Sequence, residues 1–170
     1  MNINTREDLA QYFNELGFTT GAEIGVLAGL YSAVLCEANP GLKLFCIDAW
    51  GYGEHKRKAY HLQAYEEAKV RLAPYDATLM HKLSMEAVKD FEDGSLDFVY
   101  IDANHKYSFV EEDIREWTKK VRKGGIVSGH DYEFEPGRAV DDYVKINNDV
   151  DLQITPKKSD KALSWWFVKK

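Results

Sequence analysis

Short apolar runs alternate with longer stretches of helical spacing along this chain, and few folds accommodate that alternation. The clearest run spans residues 96–102, where only Asp97 and the final Asp102 are polar or charged apart from Tyr100. A strand covered on both faces reads this way, because helices flank a parallel sheet from both sides. Similar runs occupy residues 20–26, 42–48, 77–83 and 126–128. Between them lie predicted helices over 30–39, 54–72, 84–91 and 106–122, and another after Pro136-Gly137. Val110, Ile114, Trp117 and Val121 give the longest of these an inner stripe. Asn4 or Thr5 caps a first helix, Asp8 completes a box after Thr5, and Gly17 ends it. Strands alternating with helices imply an α/β, doubly wound parallel sheet. The last two strands, 152–155 and 162–168, are joined by only 156–161, too short for a helical crossover, so they pair antiparallel. With 170 residues the chain reads as a single domain, 1–170.

The first strand ends in Glu23-Ile24-Gly25-Val26-Leu27-Ala28-Gly29, and the second stops at a carboxylate, Cys46-Ile47-Asp48. Asp48 follows Gly29 by nineteen residues. A strand–turn–helix–strand unit of that length places an acid beside the ribose of a nucleoside ligand. Glycines in the turn let backbone approach a ligand closely. The turn lacks one glycine of the dinucleotide-binding set, and its opening acid repels phosphate and favours a cation. S-adenosylmethionine carries a sulfonium and an amine and no phosphate, so it suits this turn better than NAD.

Two further segments are more specific. Asp97-Phe98-Val99-Tyr100-Ile101-Asp102-Ala103-Asn104-His105 is followed by Gly124-Gly125-Ile126-Val127-Ser128-Gly129-His130-Asp131-Tyr132. With the turn and Cys46-Ile47-Asp48-Ala49-Trp50, these resemble the class I S-adenosylmethionine-dependent methyltransferases, in particular small O-methyltransferases with YIDxxH and GHDY motifs. The resemblance covers nearly the whole chain. It implies a Rossmann-like seven-stranded sheet, mostly parallel, with one antiparallel strand near the edge. It also implies methyl transfer from S-adenosyl-L-methionine to the hydroxyl of a small molecule.

Ligands of such sheets bind beyond the carboxyl ends of the strands. Glu23, Gly25, Gly29, Asp48, Ser84, Asp102, His130 and Asp131 are all predicted at that edge. Glu23 either neutralises the cofactor's amino group or caps the turn backbone. Asp48 accepts the ribose hydroxyls. Trp50 either lies against adenine or belongs to the core, and Ser84 either meets the adenine edge or caps its helix. Ser32 is the candidate for the cofactor carboxylate, although the family often has serine one position earlier, where Tyr31 stands.

Asp102 and Asp131 end apolar strands and point to one cleft, where two like charges call for a cation. Magnesium or another divalent ion on carboxylate oxygens answers that, as the resemblance implies. His130 beside Asp131 is a softer donor, which opens manganese, iron or zinc, or no metal. Asp102, with His105 and His130 as candidate bases, completes the catalytic set. His105 alternatively caps a helix or bonds Asp102, and His130 alternatively is structural. His55 and His61 read as surface residues on a segment, 54–72, that is either a lid or a plain crossover helix.

The net charge of −6 argues against general phosphate-backbone binding, and Lys56-Arg57-Lys58 reads as a solvated face. Cys36 and Cys46 read as small buried hydrophobes. No run is long and apolar enough for a membrane span, so the expected setting is cytoplasmic, with a small-molecule substrate and no nucleic acid. The aromatic patch Trp165-Trp166-Phe167 is either sheet core or a homo-oligomer contact. A non-catalytic cofactor- or nucleotide-binding module that needs a partner subunit is the rival reading.

Overall fold

β4 (Leu96–Ile101) owes its apolar sequence to its place in the middle of a sheet. Phe98 and Tyr100 face one layer of helices, while Val99 and Ile101 face the other. Around it lie β1 (Thr20–Ile24), β2 (Lys43–Asp48), β3 (Ala77–His81), β5 (Val121–Gly129), β6 (Gln153–Ile154) and β7 (Trp165–Val168). The order is β3-β2-β1-β4-β5-β7-β6, in a seven-stranded sheet. The computed structural model describes residues 2–52, 57–148, 150–156 and 162–170. The predicted helix start at 54–56, with His55 and Lys56, and most of the 156–161 connection lie outside the described residues.

β1 through β5 pair parallel, while β7 pairs antiparallel with both β5 and β6. The single reversed strand is therefore one place in from the edge. β5 begins earlier than the sequence suggests. Val121 has the spacing of a helical stripe, yet it pairs with Leu96. The register then shifts between Leu96 and Phe98, and the Gly124-Gly125 segment takes up the slack.

Helices α1 (Arg6–Glu15), α2 (Leu30–Ala38) and α3 (Lys58–Leu72) cover one face. Thr5 and Asp8 form the anticipated capping box on α1. Phe13 of that helix stacks on Phe98 at 4.2 Å between ring centres, which binds α1 to the sheet. α4 (Ser84–Ala87) continues into a 3₁₀ turn, Val88–Asp90; with α5 (Tyr107–Lys120) and α6 (Glu135–Ile146) it covers the opposite face. Pro136 sits in the first turn of α6, where its missing N–H costs nothing. Trp165 and Phe167 are buried, and Trp166 packs on Tyr12 with ring centres 5.6 Å apart. The aromatic patch is thus sheet core. Cys36 and Cys46 are buried thiols, and burial pushes Cys36 up to about 12. Among the described residues no helix is long and apolar enough to cross a membrane.

Candidate active site

A cavity of about 970 Å³ opens beyond the carboxyl ends of β1, β2 and β4. Glu23, Gly25, Asp48, Asp102 and His105 all line it. The predicted gathering of acids at one rim is therefore present. It depends on the turn after β1, which is sharply wound: Gly25, Leu27 and Gly29 have φ of 95°, 50° and 72°. Leu27 is a leucine in the left-handed region, a conformation that needs outside support. Its N–H donates to Asp48 Oδ2 at 2.8 Å, and its carbonyl accepts from the Trp50 ring nitrogen at 2.7 Å. Val26 N–H also donates to Asp48 Oδ2, and Trp50 N–H donates to Oδ1. One carboxylate thus ties the first turn to the end of β2.

Gly25 is required by contact as well as by φ. A side chain there would meet the Asp102 carbonyl oxygen at 2.1 Å. Gly25→Ala is expected to destabilise the fold by at least about 2 kcal/mol, through overpacking and backbone strain together. Denaturant unfolding measures it, and an unchanged midpoint would refute the close approach. Gly29 plays a different part from the one anticipated. It does not line the cavity; a side chain there would meet Leu72 of α3 at 3.1 Å. Arg71 of α3 donates to the Ala28 carbonyl. α3 is therefore packed on the turn.

Glu23 is 2% exposed and faces the cavity. Burial pushes its carboxyl up to about 8, opposed by the hydrogen bond from Ser32. The folded state thus holds this proton more tightly than the unfolded chain. Stability present below about pH 4.5 is lost as pH rises toward about 8. Glu23→Gln is expected to abolish that loss and to stabilise the protein by on the order of a few kcal/mol at the alkaline end. Thermal scans across the window decide it; parallel curves for the two proteins would exclude the shift.

The packing bears on four further expectations. Ser32 is fully buried and its hydroxyl serves Glu23, so it does not face the cavity. Trp50 is also fully buried, yet it lines the cavity; its ring packs on Tyr65 at 4.5 Å and its nitrogen holds Leu27, so it is core at the cavity wall. Ser84 lines the cavity but makes no cap bond. Its hydroxyl accepts from the Trp117 ring nitrogen at 2.8 Å and donates to Asp113. His61, read from sequence as a surface residue, lines the cavity.

Beside the cavity stands a cluster of two acids and two histidines. His105 Nε2 lies 3.4 Å from Asp102 and 3.2 Å from Asp131. His130 Nδ1 lies 3.5 Å from Asp131 and 3.9 Å from Asp102. The hydrogen bond with Asp102 raises His105 above its ordinary value, and Asp131 adds to it. Asp131 takes a left-handed turn, φ 57°, just after β5, and this aims the chain into α6. One ligand atom from each of Asp102, His105 and Asp131 falls within 4.8 Å of the others. That spacing fits a single divalent ion.

Arg6 and Asp113 are among the residues of the cavity that escaped the sequence reading. Arg6, at the start of α1, lines it and lies 5.1 Å above the Tyr31 ring. Asp113 of α5 lines it too. Its burial was signalled by its place beside Val110, Ile114 and Trp117 on the inner stripe.

Residues 22–132 match a family model described as a methyltransferase domain. The chain belongs to that family. A curated relative, the uncharacterized protein y4gI of Sinorhizobium fredii, is 29% identical over 120 residues. The match covers 65% of this chain and 13% of that much longer protein. Among solved structures, the O-methyltransferase from Bacillus cereus in complex with SAH has a TM-score of 0.71 at 14% identity, covering 98% of this chain and 82% of that one. TomG from Streptomyces achromogenes, an O-methyltransferase involved in tomaymycin synthesis, in complex with SAM, has a TM-score of 0.72 at 17% identity, covering 97% and 80%. At these identities the likeness concerns the fold.

Proposed function

We propose that this single methyltransferase domain is an S-adenosyl-L-methionine-dependent O-methyltransferase for a hydroxylated small molecule. The observation that carries the reading is the shared cavity wall of Glu23, Asp48 and Asp102, with His105 at its edge joining Asp102 to Asp131. When bound, the sulfonium supplies a methyl group to the substrate oxygen and leaves as S-adenosylhomocysteine. Asp48 orients the ribose with whatever lone pairs its three backbone bonds leave open. Glu23, once ionised, faces the donor's amino group, and Ser32 positions Glu23. Asp102, His105 and Asp131 would hold a divalent ion, which supplies charge to lower the pKa of a substrate hydroxyl. The imidazole among two carboxylates broadens the choice beyond magnesium to manganese, iron or zinc. His130, within reach of both acids, positions them. His105 or His130 takes the hydroxyl proton where no ion is held.

Nothing in this scheme calls for nucleic acid, a membrane or a second copy of the chain, and a cytoplasmic setting accords with two free thiols. Titration calorimetry with S-adenosylhomocysteine, with and without manganese, tests the proposal. Micromolar binding is expected. Absence of any binding would end it, and would leave the rival reading of a module that depends on a partner.

A further inference from the structure

We propose that Arg6 binds an acidic group of the methyl acceptor, so that the substrate is a hydroxy acid with an apolar body. This rests on the O-methyltransferase reading above. Arg6 opens α1 and lines the cavity together with Leu30, Tyr31 and Asp102. It is held from two sides. The Tyr31 hydroxyl donates to its carbonyl at 2.8 Å, and its guanidinium lies 5.1 Å above the Tyr31 ring. Tyr31 is itself buried and packs on Tyr100 of β4 with ring centres 4.4 Å apart. Nε lies 3.5 Å from Glu7, an exposed pair of the kind that contributes little. Stacking engages the flat face of a guanidinium, whereas its N–H donors lie in the plane and form a fork that fits a carboxylate. An arginine fixed before its ligand arrives loses less entropy in making a bidentate bond.

The surroundings favour the acceptor over the donor as the source of that acid. The charge of Arg6 reaches Glu23 and Tyr100, and the charge of Asp102 reaches the same two groups. The guanidinium therefore shares a side of the cavity with the cluster of acids and histidines where the hydroxyl reacts. Leu30, the neighbour of Tyr31, is 64% exposed, and Phe109, in the first turn of α5, is 50% exposed; both line this cavity. Large apolar side chains left open on a cavity wall suit an apolar ligand body. The methionyl end of the donor instead gathers an amine, a carboxylate and a sulfonium on a few carbons. An acid at Arg6 and a hydroxyl beside Asp102 and His105 fix the acceptor at two points, which orients its oxygen for transfer.

Production of S-adenosylhomocysteine from a panel of hydroxybenzoates, each matched with its amide, tests this. The unaltered protein is expected to prefer the acids in kcat/KM by at least about tenfold. Arg6→Gln is expected to erase that preference while S-adenosylhomocysteine affinity, by calorimetry, changes no more than about threefold. Equal or better turnover of the amides, or a preference for the acids that survives in Arg6→Gln, would overturn the proposal. A large loss of S-adenosylhomocysteine affinity in the variant would move Arg6 to the donor's own carboxylate and overturn it as well. If the variant fails to fold, the comparison of acid with amide in the unaltered protein still decides. If no compound is turned over, calorimetry of the same pairs on protein loaded with S-adenosylhomocysteine takes its place, and equal or absent binding of the acids overturns the proposal. No affinity of the unaltered protein for S-adenosylhomocysteine would instead overturn the cofactor reading on which the proposal rests.

Discussion

Asp48→Ala is expected to abolish measurable S-adenosylhomocysteine binding, with a loss of at least about a hundredfold. The reason is larger than a missing contact to ribose. Asp48 accepts three backbone N–H groups, from Val26, Leu27 and Trp50. Two of them belong to the strained turn that forms the cavity floor. Removing the carboxylate leaves three donors to find water and releases Leu27 from its left-handed conformation. A stability cost of roughly 2–4 kcal/mol should accompany the loss of binding, given about 1–3 kcal/mol for each buried donor left unpaired and partial access of water here. Calorimetry and denaturant unfolding measure the two separately. Retained affinity in the variant would show that the turn holds itself, and would remove Asp48 from the site.

Asp131→Ala is expected to separate binding from turnover. Asp131 does not line the donor cavity, so affinity for S-adenosylhomocysteine should change by no more than about twofold. Turnover should fall at least about a hundredfold, because the cluster loses one of its three ligand atoms. The same variant should lose manganese binding by calorimetry, a readout that needs no substrate. Production of S-adenosylhomocysteine over a panel of hydroxylated compounds gives the rate. If the variant matched the unaltered protein in both, Asp131 would have no part in the chemistry. Asp102→Ala makes a poorer test, since Asp102 touches both regions and a change there cannot be assigned to one.

Why some of this was legible in the sequence and some was not has physical causes. Asp48, Asp102 and Asp131 could be read because a carboxylate after an apolar strand is costly without a partner, and strand ends in this topology share one edge. The capping box at Thr5 and Asp8 is local and was equally readable. Side-chain partners across the fold were not. Ser32 had a plausible neighbour in a ligand, yet Glu23, nine residues earlier, claims its hydroxyl. Trp50 sits at a positive φ that turns its ring into the core, which no periodicity reveals. Val121 has perfect helical spacing, and only its long-range pairing with Leu96 makes it strand. Asp113 looked like one more charge in Glu111-Glu112-Asp113; its position three residues after Val110 and one before Ile114 was the overlooked sign of burial.

The inversion of β7 has a consequence for how the molecule comes into being. β5 needs β7 along its outer side, and among the described residues β6 pairs with β7 alone. On the ribosome, β5 and β6 both emerge before the strand that joins them. Until Trp165 and Phe167 arrive, a nascent molecule carries a bare, apolar hydrogen-bonding edge, the kind that invites pairing with a neighbour. The same late arrival supplies the Trp165 ring nitrogen that holds the His130 carbonyl at 3.3 Å. Closing the sheet and setting the histidine beside its acids are therefore one event in assembly.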